Sequence, residues 1–250
     1  MKLQNFMLIF AITIKSQTKS KKARNQMKKC FARTLPLFKE KGFQKLQNAK
    51  ILILGVGGVG GFALDCLYRT GIGEICIIDF DSFEESNQNR QIGSLEGIGR
   101  KKVEVLAETY KGIVALDSKV TKDFIDSFDF SPYDIVLDAI DDIDAKIALA
   151  LKISNHKDDS TKPILLSSTG SAKKLDPSQI QFAPIWKSYG DKFARKLREG
   201  LKKQGFKGSF MVAFSPEEPK CKELGSFSGV TASFGLRLAS EAIKIILQKD

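Results

Sequence analysis

Short runs of branched apolar residues alternate with helix-like patterns through the first two thirds of the chain. Four runs, at residues 51–54, 75–79, 135–138 and 163–167, are almost continuously apolar, as strands buried on both faces of a parallel sheet are. We expect a further strand at residues 118–121. Strands that alternate with helices predict βαβ units, and hence a Rossmann-like, doubly wound, mostly parallel α/β sheet.

The alternation changes in the last third of the chain. Residues 179–185 and 210–214 are predicted strands, separated by a basic helix at residues 192–204. A final helix from about residue 230 to residue 247 carries apolar side chains along one face. We therefore predict a C-terminal antiparallel extension and a closing helix after the parallel sheet.

These patterns divide the chain into four parts. Residues 1–27 form a tail, which we interpret as disordered or as the result of a start assigned too early, with Met27 as the true start. Residues 28–48 form an N-terminal helical arm. Residues 49–168 form a nucleotide-binding, Rossmann-like domain, and residues 169–250 form a C-terminal extension that we expect to bind the substrate.

A glycine-rich turn follows the first predicted strand. It contains Gly55, Gly57, Gly58 and Gly60, and Asp79 ends the second strand 24 residues after Gly55. Glycines at these places allow a tight turn, close approach of the backbone to a phosphate, and close packing of the following helix. The start of that helix attracts anions, and an acid at this distance reaches ribose hydroxyls. NAD, FAD and ATP all fit this pattern.

Charged residues beyond Asp79 distinguish between these nucleotides. Asn87, Arg90 and Lys102 follow the acidic strand end, and Asp141 follows the fourth strand, where a doubly wound sheet brings it beside the glycine turn. Two cations would neutralise charge that develops on a triphosphate during attack at the α-phosphorus, and Asp141 would hold Mg²⁺. Hydride transfer needs no such array, so the pattern favours ATP.

These motifs resemble the ThiF/MoeB/E1-like superfamily of ATP-dependent carboxylate-adenylating enzymes. Within it, the chain is similar to the tRNA threonylcarbamoyladenosine dehydratase branch. The superfamily resemblance rests on Gly55-x-Gly57-Gly58-x-Gly60, Asp79-Phe80-Asp81, Asn87-x-x-Arg90-Gln91, Lys102 and Asp138-x-x-Asp141. The branch resemblance rests on residues 69–73, 89–92, 175–181, 196–199 and 230–235.

The resemblance implies a role for each matched residue. The implied catalytic residues are Arg33, Arg90, Lys102 and Asp141. The implied cofactor-binding residues are Gly55, Gly57, Gly58, Gly60, Asp79, Asp81, Asn87, Arg90, Lys102 and Asp141. Among these, Asp79 would take the ribose of ATP and Asp141 the Mg²⁺ ion. Arg33, on the N-terminal arm, would reach the ATP of the other subunit of a homodimer.

The branch resemblance also implies a substrate, threonylcarbamoyladenosine in tRNA. Its threonyl carboxylate would attack the α-phosphate of ATP, and its carbamoyl group would then close on the acyl-adenylate, expelling AMP and leaving a cyclic, dehydrated nucleoside. The resemblance further implies cysteine desulfurase and sulfur-acceptor proteins as partners. Two alternatives stay open: MoeB- or ThiF-like adenylation of the C-terminal glycine of a small sulfur-carrier protein, and an NAD-binding oxidoreductase or binding module.

Cysteine usage and the N-terminal tail bear on cofactors and location. Cys30, Cys66, Cys76 and Cys221 are scattered and no Cys-x-x-Cys pair occurs, so we predict no zinc and a cytoplasmic, reducing location. For Cys221 we prefer an ordinary loop role to a thioester role. The apolar stretch at residues 6–14 is too short to span a bilayer, but with its neighbouring lysines it leaves association with a membrane surface open.

Positive charge is concentrated in two places. The first 50 residues hold 13 Lys and Arg and one Glu, against a net charge of +11 for the whole chain. Residues 187–207 hold eight Lys and Arg and two acids, on a helix where Phe193, Leu197 and Leu201 share one packed face. This charge indicates either a solvated helix face or a surface that binds tRNA phosphates. In the second case the tRNA-binding residues are Lys192, Arg195, Arg198, Lys202 and Lys203.

Overall fold

The structure, a computed structural model, describes residues 29–154 and 163–248. The chain divides into two units, Met1–Phe43 and Gln44–Asp250. The predicted tail, residues 1–27, lies outside the described residues, so its interpretation stays a prediction. Within the described ranges, every helix is too short or too polar to cross a bilayer.

The first unit contains the beginning of a kinked helix. Helix α1 (Leu35–Asn48) starts in this unit, and its helical geometry breaks at Lys39, where φ is 59°. The rings of Phe31 and Phe43 lie 5.2 Å apart, which holds the preceding turn against the helix. Arg33 is exposed on that turn.

The second unit is built around one seven-stranded sheet. Its strands are β1 (Lys50–Leu54), β2 (Glu74–Asp79), β3 (Val114–Asp117), β4 (Ile135–Asp138), β5 (Ile164–Ser168), β6 (Gln181–Pro184) and β7 (Met211–Phe214). They are arranged in the order β3-β2-β1-β4-β5-β7-β6. Every neighbouring pair is parallel except β6 and β7, which are antiparallel. The expected mostly parallel sheet is therefore confirmed, and its antiparallel extension is the edge strand β6.

Helices cover both faces of this sheet, as a doubly wound fold requires. Among the described residues of this unit, the other α-helices are α2 (Gly60–Thr70), α3 (Lys102–Thr109), α4 (Lys122–Ser127), α5 (Ile143–Ser154), α6 (Lys192–Lys203) and α7 (Ser228–Gln248). On one face, Leu52 and Leu54 of β1 share a core cluster with Leu149 of α5 and Leu197 of α6. Helix α7 packs closely against α2 at Gly235. A Cβ at Gly235 would lie 2.2 Å from the Val59 carbonyl oxygen, so this close approach requires glycine.

The third strand of the sheet differs from the sequence prediction. The third strand is Val114–Asp117, so the expected strand at residues 118–121 is wrong. Val114–Asp117 pairs with β2 only as far as Asp79, and the Ser118 N–H then donates to the Asp79 carbonyl, so the chain turns there. Val120 is buried in the loop that follows, which explains why an apolar residue there suggested a strand.

The four cysteines, all within the described part of the chain, form no disulfide there. Cys76 is buried in β2, and burial raises the pKa of its thiol to about 11. Burial also raises the pKa of Cys66, which is half-buried in α2. Cys30 and Cys221 are exposed.

Candidate nucleotide-binding site

A cavity of about 770 Å³ lies at the carboxyl ends of the parallel strands. This is where open α/β sheets bind their ligands, because the strand order reverses between β1 and β4. The structure brings nine of the predicted site residues together on the cavity wall: Gly55, Gly57, Gly58, Asp79, Asp81, Asn87, Arg90, Lys102 and Asp141.

The glycine turn shapes one side of this cavity. Gly55 has φ of +82°, and a Cβ there would lie 2.8 Å from the Ala139 carbonyl oxygen, so only glycine fits. Gly60 was grouped with the cofactor-binding residues, but it is buried behind the wall, where a Cβ would lie 1.9 Å from the Gly55 carbonyl oxygen. Its role is to let α2 pack against the turn. Within the described part of the chain no side chain caps α2 at Val59, which leaves the positive end of this helix open to an anion.

Asp79 ties the end of β2 to the glycine turn. Its buried carboxylate accepts hydrogen bonds from the Val56 N–H, at 2.8 Å, and from the Asp81 N–H, at 2.9 Å. A carboxylate has about four acceptor positions, so capacity remains for the hydroxyls of a ribose. The same side chain thus stabilises the turn and faces the cavity.

Lys102 is a buried cation in the cavity wall. Lys102 is the first residue of α3 and is 5% exposed, so it is not a lysine on a solvated helix face. Lys102 Nζ lies 2.9 Å from Asp81 Oδ2, and the Lys102 N–H donates to the Asp81 carbonyl oxygen. Asp81 also lines the cavity, and its expected contact with the nucleotide stays a prediction. In the structure it orients Lys102, because a buried ammonium group needs a paired charge.

Arg90 presents a positive charge without a carboxylate partner among the described residues. Its Nη1 donates to the Ser86 carbonyl oxygen and to Asn89 Oδ1, both at 2.8 Å. Asn87 is buried, and its side-chain oxygen accepts from the Glu84 N–H, which closes the short 3₁₀ turn Glu85–Asn87. Asn87 therefore shapes the segment that carries Arg90.

Gln91 is a site residue that the candidate set omitted. It lines the cavity, and its Oε1 is buried without a hydrogen-bond partner among the described residues. A buried, unpaired amide oxygen calls for a ligand or an ordered water. Its position directly after Arg90 in the motif Asn87-x-x-Arg90-Gln91 was the available signal.

Asp141 is an exposed carboxylate in the loop between β4 and α5. Among the described residues it forms no hydrogen bond or ion pair, and the N-terminus of α5 is capped by Asp142, whose Oδ1 accepts from the Ala145 N–H at 2.9 Å. The capping role that could have explained Asp141 thus belongs to its neighbour. The described residues contain no group of three or more His, Cys, Asp or Glu that could hold a metal. Because Mg²⁺ is commonly bound by one or two carboxylates and substrate phosphates, this donor set fits an ion that arrives with a nucleotide.

A buried ion pair supports the segment that carries Asp141. Lys146 Nζ on α5 lies 2.9 Å from Asp138 Oδ1 at the end of β4, and both side chains are 1% exposed. Ser167 of β5 donates to Asp138 Oδ2 at 2.6 Å, and the Ile140 N–H donates to Asp138 Oδ1. Burial lowers the pKa of Lys146, while the neighbouring Asp138 opposes that shift. Lys146 was not among the residues predicted for the site.

The predicted basic helix is confirmed as α6, with an exposed cationic side. Its packed face includes Leu197 and Leu201, which are buried, while Phe193 is half-buried and lines the cavity. Arg198 differs from the other predicted tRNA-binding residues, because it is half-buried and donates to Ser188 Oγ. The other four are exposed: Lys192, Arg195, Lys202 and Lys203.

The fold and this site define a nucleotide-binding protein of the doubly wound α/β class. The sequence signature of the ThiF family matches residues 31–250, and the chain belongs to that family.

Its relatives include tRNA threonylcarbamoyladenosine dehydratases from two bacteria. The Bacillus subtilis protein is 35% identical over 76% of this chain and 75% of its own length. The Escherichia coli protein is 34% identical over 88% of this chain and 94% of its own length. The solved structure of the E. coli enzyme, TcdA, in complex with ATP matches with a TM-score of 0.81 and 33% identity, covering 92% of this chain and 97% of that one.

Proposed function

We propose that this chain adenylates the threonyl carboxylate of threonylcarbamoyladenosine in tRNA with ATP, and then cyclises it. The observation that carries the proposal is the convergence of Arg90, Lys102 and Asp141 on the cavity beside the glycine turn. Two cations and a free carboxylate suit a triphosphate and its metal. The names of the relatives, and the ATP bound to one of them, support the choice of nucleotide and substrate.

In the first step, a carboxylate oxygen of the substrate bonds to the α-phosphorus of ATP, and the bond from that phosphorus to the bridging oxygen of pyrophosphate breaks. Arg90 and Lys102 are placed to stabilise negative charge on the phosphate oxygens as it develops. Asp141 would hold Mg²⁺, which would add further positive charge at the phosphates. The backbone of the glycine turn would hold the nucleotide in line for attack.

In the second step, the carbamoyl group attacks the activated carbonyl, loses a proton, and expels AMP. One oxygen of the original carboxylate leaves with AMP, so the nucleoside loses the elements of one water. This sequence requires no enzyme thiol. Cys221, on an exposed loop where its Sγ contacts the Glu223 carbonyl oxygen, is not part of the cavity wall.

Two further parts of the assignment rest on the resemblance. We infer that Arg33, exposed in the first unit, completes the ATP site of a second subunit in a homodimer. The exposed cations of α6 would bind tRNA phosphates. Cysteine desulfurase and sulfur-acceptor partners remain a prediction from the resemblance.

The test compares Arg90→Ala with Arg100→Ala. Arg100 is exposed, pairs with Glu108 at 2.6 Å and does not line the cavity, so its variant controls for loss of a surface arginine. Release of AMP and pyrophosphate with threonylcarbamoyladenosine-containing tRNA should fall by about 100-fold or more in Arg90→Ala. It should stay near the wild-type rate in Arg100→Ala. Equal rates for both variants would contradict the role of Arg90, and a protein–AMP adduct without a change in tRNA would favour a sulfur-carrier substrate.

A further inference from the structure

The cavity has a second half that the nucleotide residues do not account for. It is lined by residues 169–172, which follow β5, by Phe193 of α6, and by Leu224 and Ser226 from the loop before α7. We call this set the acceptor half. None of its residues belongs to the glycine turn, the end of β2 or the segment around Asp141.

Arg90 lies where the two halves of the cavity meet. A Cβ at Gly58 would lie 3.2 Å from Arg90 Cγ and 3.3 Å from Thr231 Cβ, so the glycine turn, Arg90 and the start of α7 are in contact. Asn89 Nδ2, next to Arg90, donates to the Ser226 carbonyl oxygen at 3.1 Å. A carboxylate attacking beside Arg90 can therefore approach from the acceptor half while the nucleotide occupies the other half.

The loop that carries Leu224 is held in place, yet it leaves this side chain uncovered. The Lys173 N–H donates to the Gly225 carbonyl oxygen at 2.8 Å, and the Lys220 N–H donates to the Lys173 carbonyl oxygen at 2.9 Å. Leu224 is nevertheless 83% exposed while it lines the cavity. With Phe193 it gives the acceptor half an apolar side chain and an aromatic ring, which is the kind of surface that receives an unstacked base.

Polar groups of the acceptor half and its rim suit the rest of a nucleotide in RNA. The Ser171 hydroxyl lines the cavity and forms no hydrogen bond among the described residues, so it is available to a substrate carboxylate or carbamoyl group. Lys222 is exposed two residues before Leu224, and the Lys173 ammonium group binds its carbonyl oxygen. A phosphate that flanks an inserted base would meet this lysine.

We propose that the acceptor half binds the modified adenine of the substrate after it leaves the RNA stack, with Leu224 and Phe193 as its apolar contacts and Lys222 on a flanking phosphate. This proposal rests on the proposed function, because the substrate there is a modified adenosine. It assigns substrate affinity to residues that are separate from the ATP-binding wall. Substitutions of Leu224 and Phe193 should therefore change the KM for tRNA without changing the KM for ATP.

The experiment uses the full chain with Leu224→Ser, Leu224→Met and Phe193→Leu. Leu95→Ser is the matched control, because Leu95 is 76% exposed and does not line the cavity. Stacking or apolar contact with one base is worth a factor of about 5 to 100 in affinity, so Leu224→Ser and Phe193→Leu should raise the KM for tRNA within that range. Leu95→Ser should stay near wild type, and Leu224→Met should raise the KM for tRNA less than Leu224→Ser, because methionine keeps an apolar contact. The KM for ATP should change less than about twofold in every variant.

Lys222→Ala distinguishes contacts with the modified nucleoside from contacts with the surrounding RNA. It should raise the KM for tRNA but not for the free modified nucleoside, whereas Leu224→Ser should raise both. If the wild type dehydrates the nucleoside and Leu224→Ser has the same KM for tRNA as Leu95→Ser, the acceptor half is wrongly assigned and the proposed function still stands. If the wild type releases no AMP with either substrate, the proposed function fails, and this inference fails with it.

Discussion

Replacing Lys146 by methionine should strongly destabilise the fold. The substitution keeps most of the side-chain volume but leaves the Asp138 carboxylate, which is 1% exposed, without its charge partner at 2.9 Å. Hydrogen bonds from Ser167 and from the Ile140 N–H would remain. Because an uncompensated buried charge typically costs about 3–5 kcal/mol, the free energy of unfolding should fall by that amount. Total stabilities are only about 5–15 kcal/mol, so the loss would be a large fraction.

The assay is urea unfolding followed by circular dichroism, with the free energy in water compared between variants. Lys152→Met is the matched control, because Lys152 is exposed on the same helix and, among the described residues, donates only to the Asp126 carbonyl oxygen. It should change the free energy by less than about 1 kcal/mol. The double variant Lys146→Met/Asp138→Leu should recover part of the loss, because it removes the unpaired charge. A loss below about 1 kcal/mol in Lys146→Met would refute the reasoning.

Two further predictions concern the subunit arrangement and the RNA surface. Mixed dimers of Arg33→Ala and Asp141→Ala, each inactive alone, should recover activity, because each would contain one intact composite site; verified heterodimers without activity would count against a shared site. Reversing the exposed cations Arg195, Lys202 and Lys203 to glutamate should raise the KM for tRNA and flatten the dependence of tRNA binding on salt, because fewer counterions are released. Unchanged affinity and salt dependence would leave α6 as an ordinary solvated helix.

The local sequence was sufficient to predict the glycine turn and most of the strands, because these features depend on residues close together in the chain. The third strand was misplaced because Val120, an apolar residue, occupies a buried position in a loop and so resembles a strand residue. Its true end is set by pairing with β2 as far as Asp79. Strand pairing between distant segments is not visible in local periodicity.

The supporting parts of the site were harder to predict for the same reason. Lys146 resembles any lysine in a helix, and its burial follows from Asp138 on β4 and Ser167 on β5. The unpaired oxygen of Gln91 is apparent only once the cavity is assembled. The acceptor half also comes from three separate segments, so only the folded chain brings Phe193 and Leu224 to one cavity.

The most direct test of the central claim follows one oxygen atom. The full chain is incubated with ATP, Mg²⁺ and tRNA whose threonylcarbamoyladenosine carries a heavy oxygen isotope in its carboxylate, and the products are weighed by mass spectrometry. Carboxylate adenylation followed by cyclisation predicts a nucleoside lighter by one labelled water, with the heavy oxygen recovered in AMP. An unlabelled AMP, or a nucleoside of unchanged mass, would contradict the account.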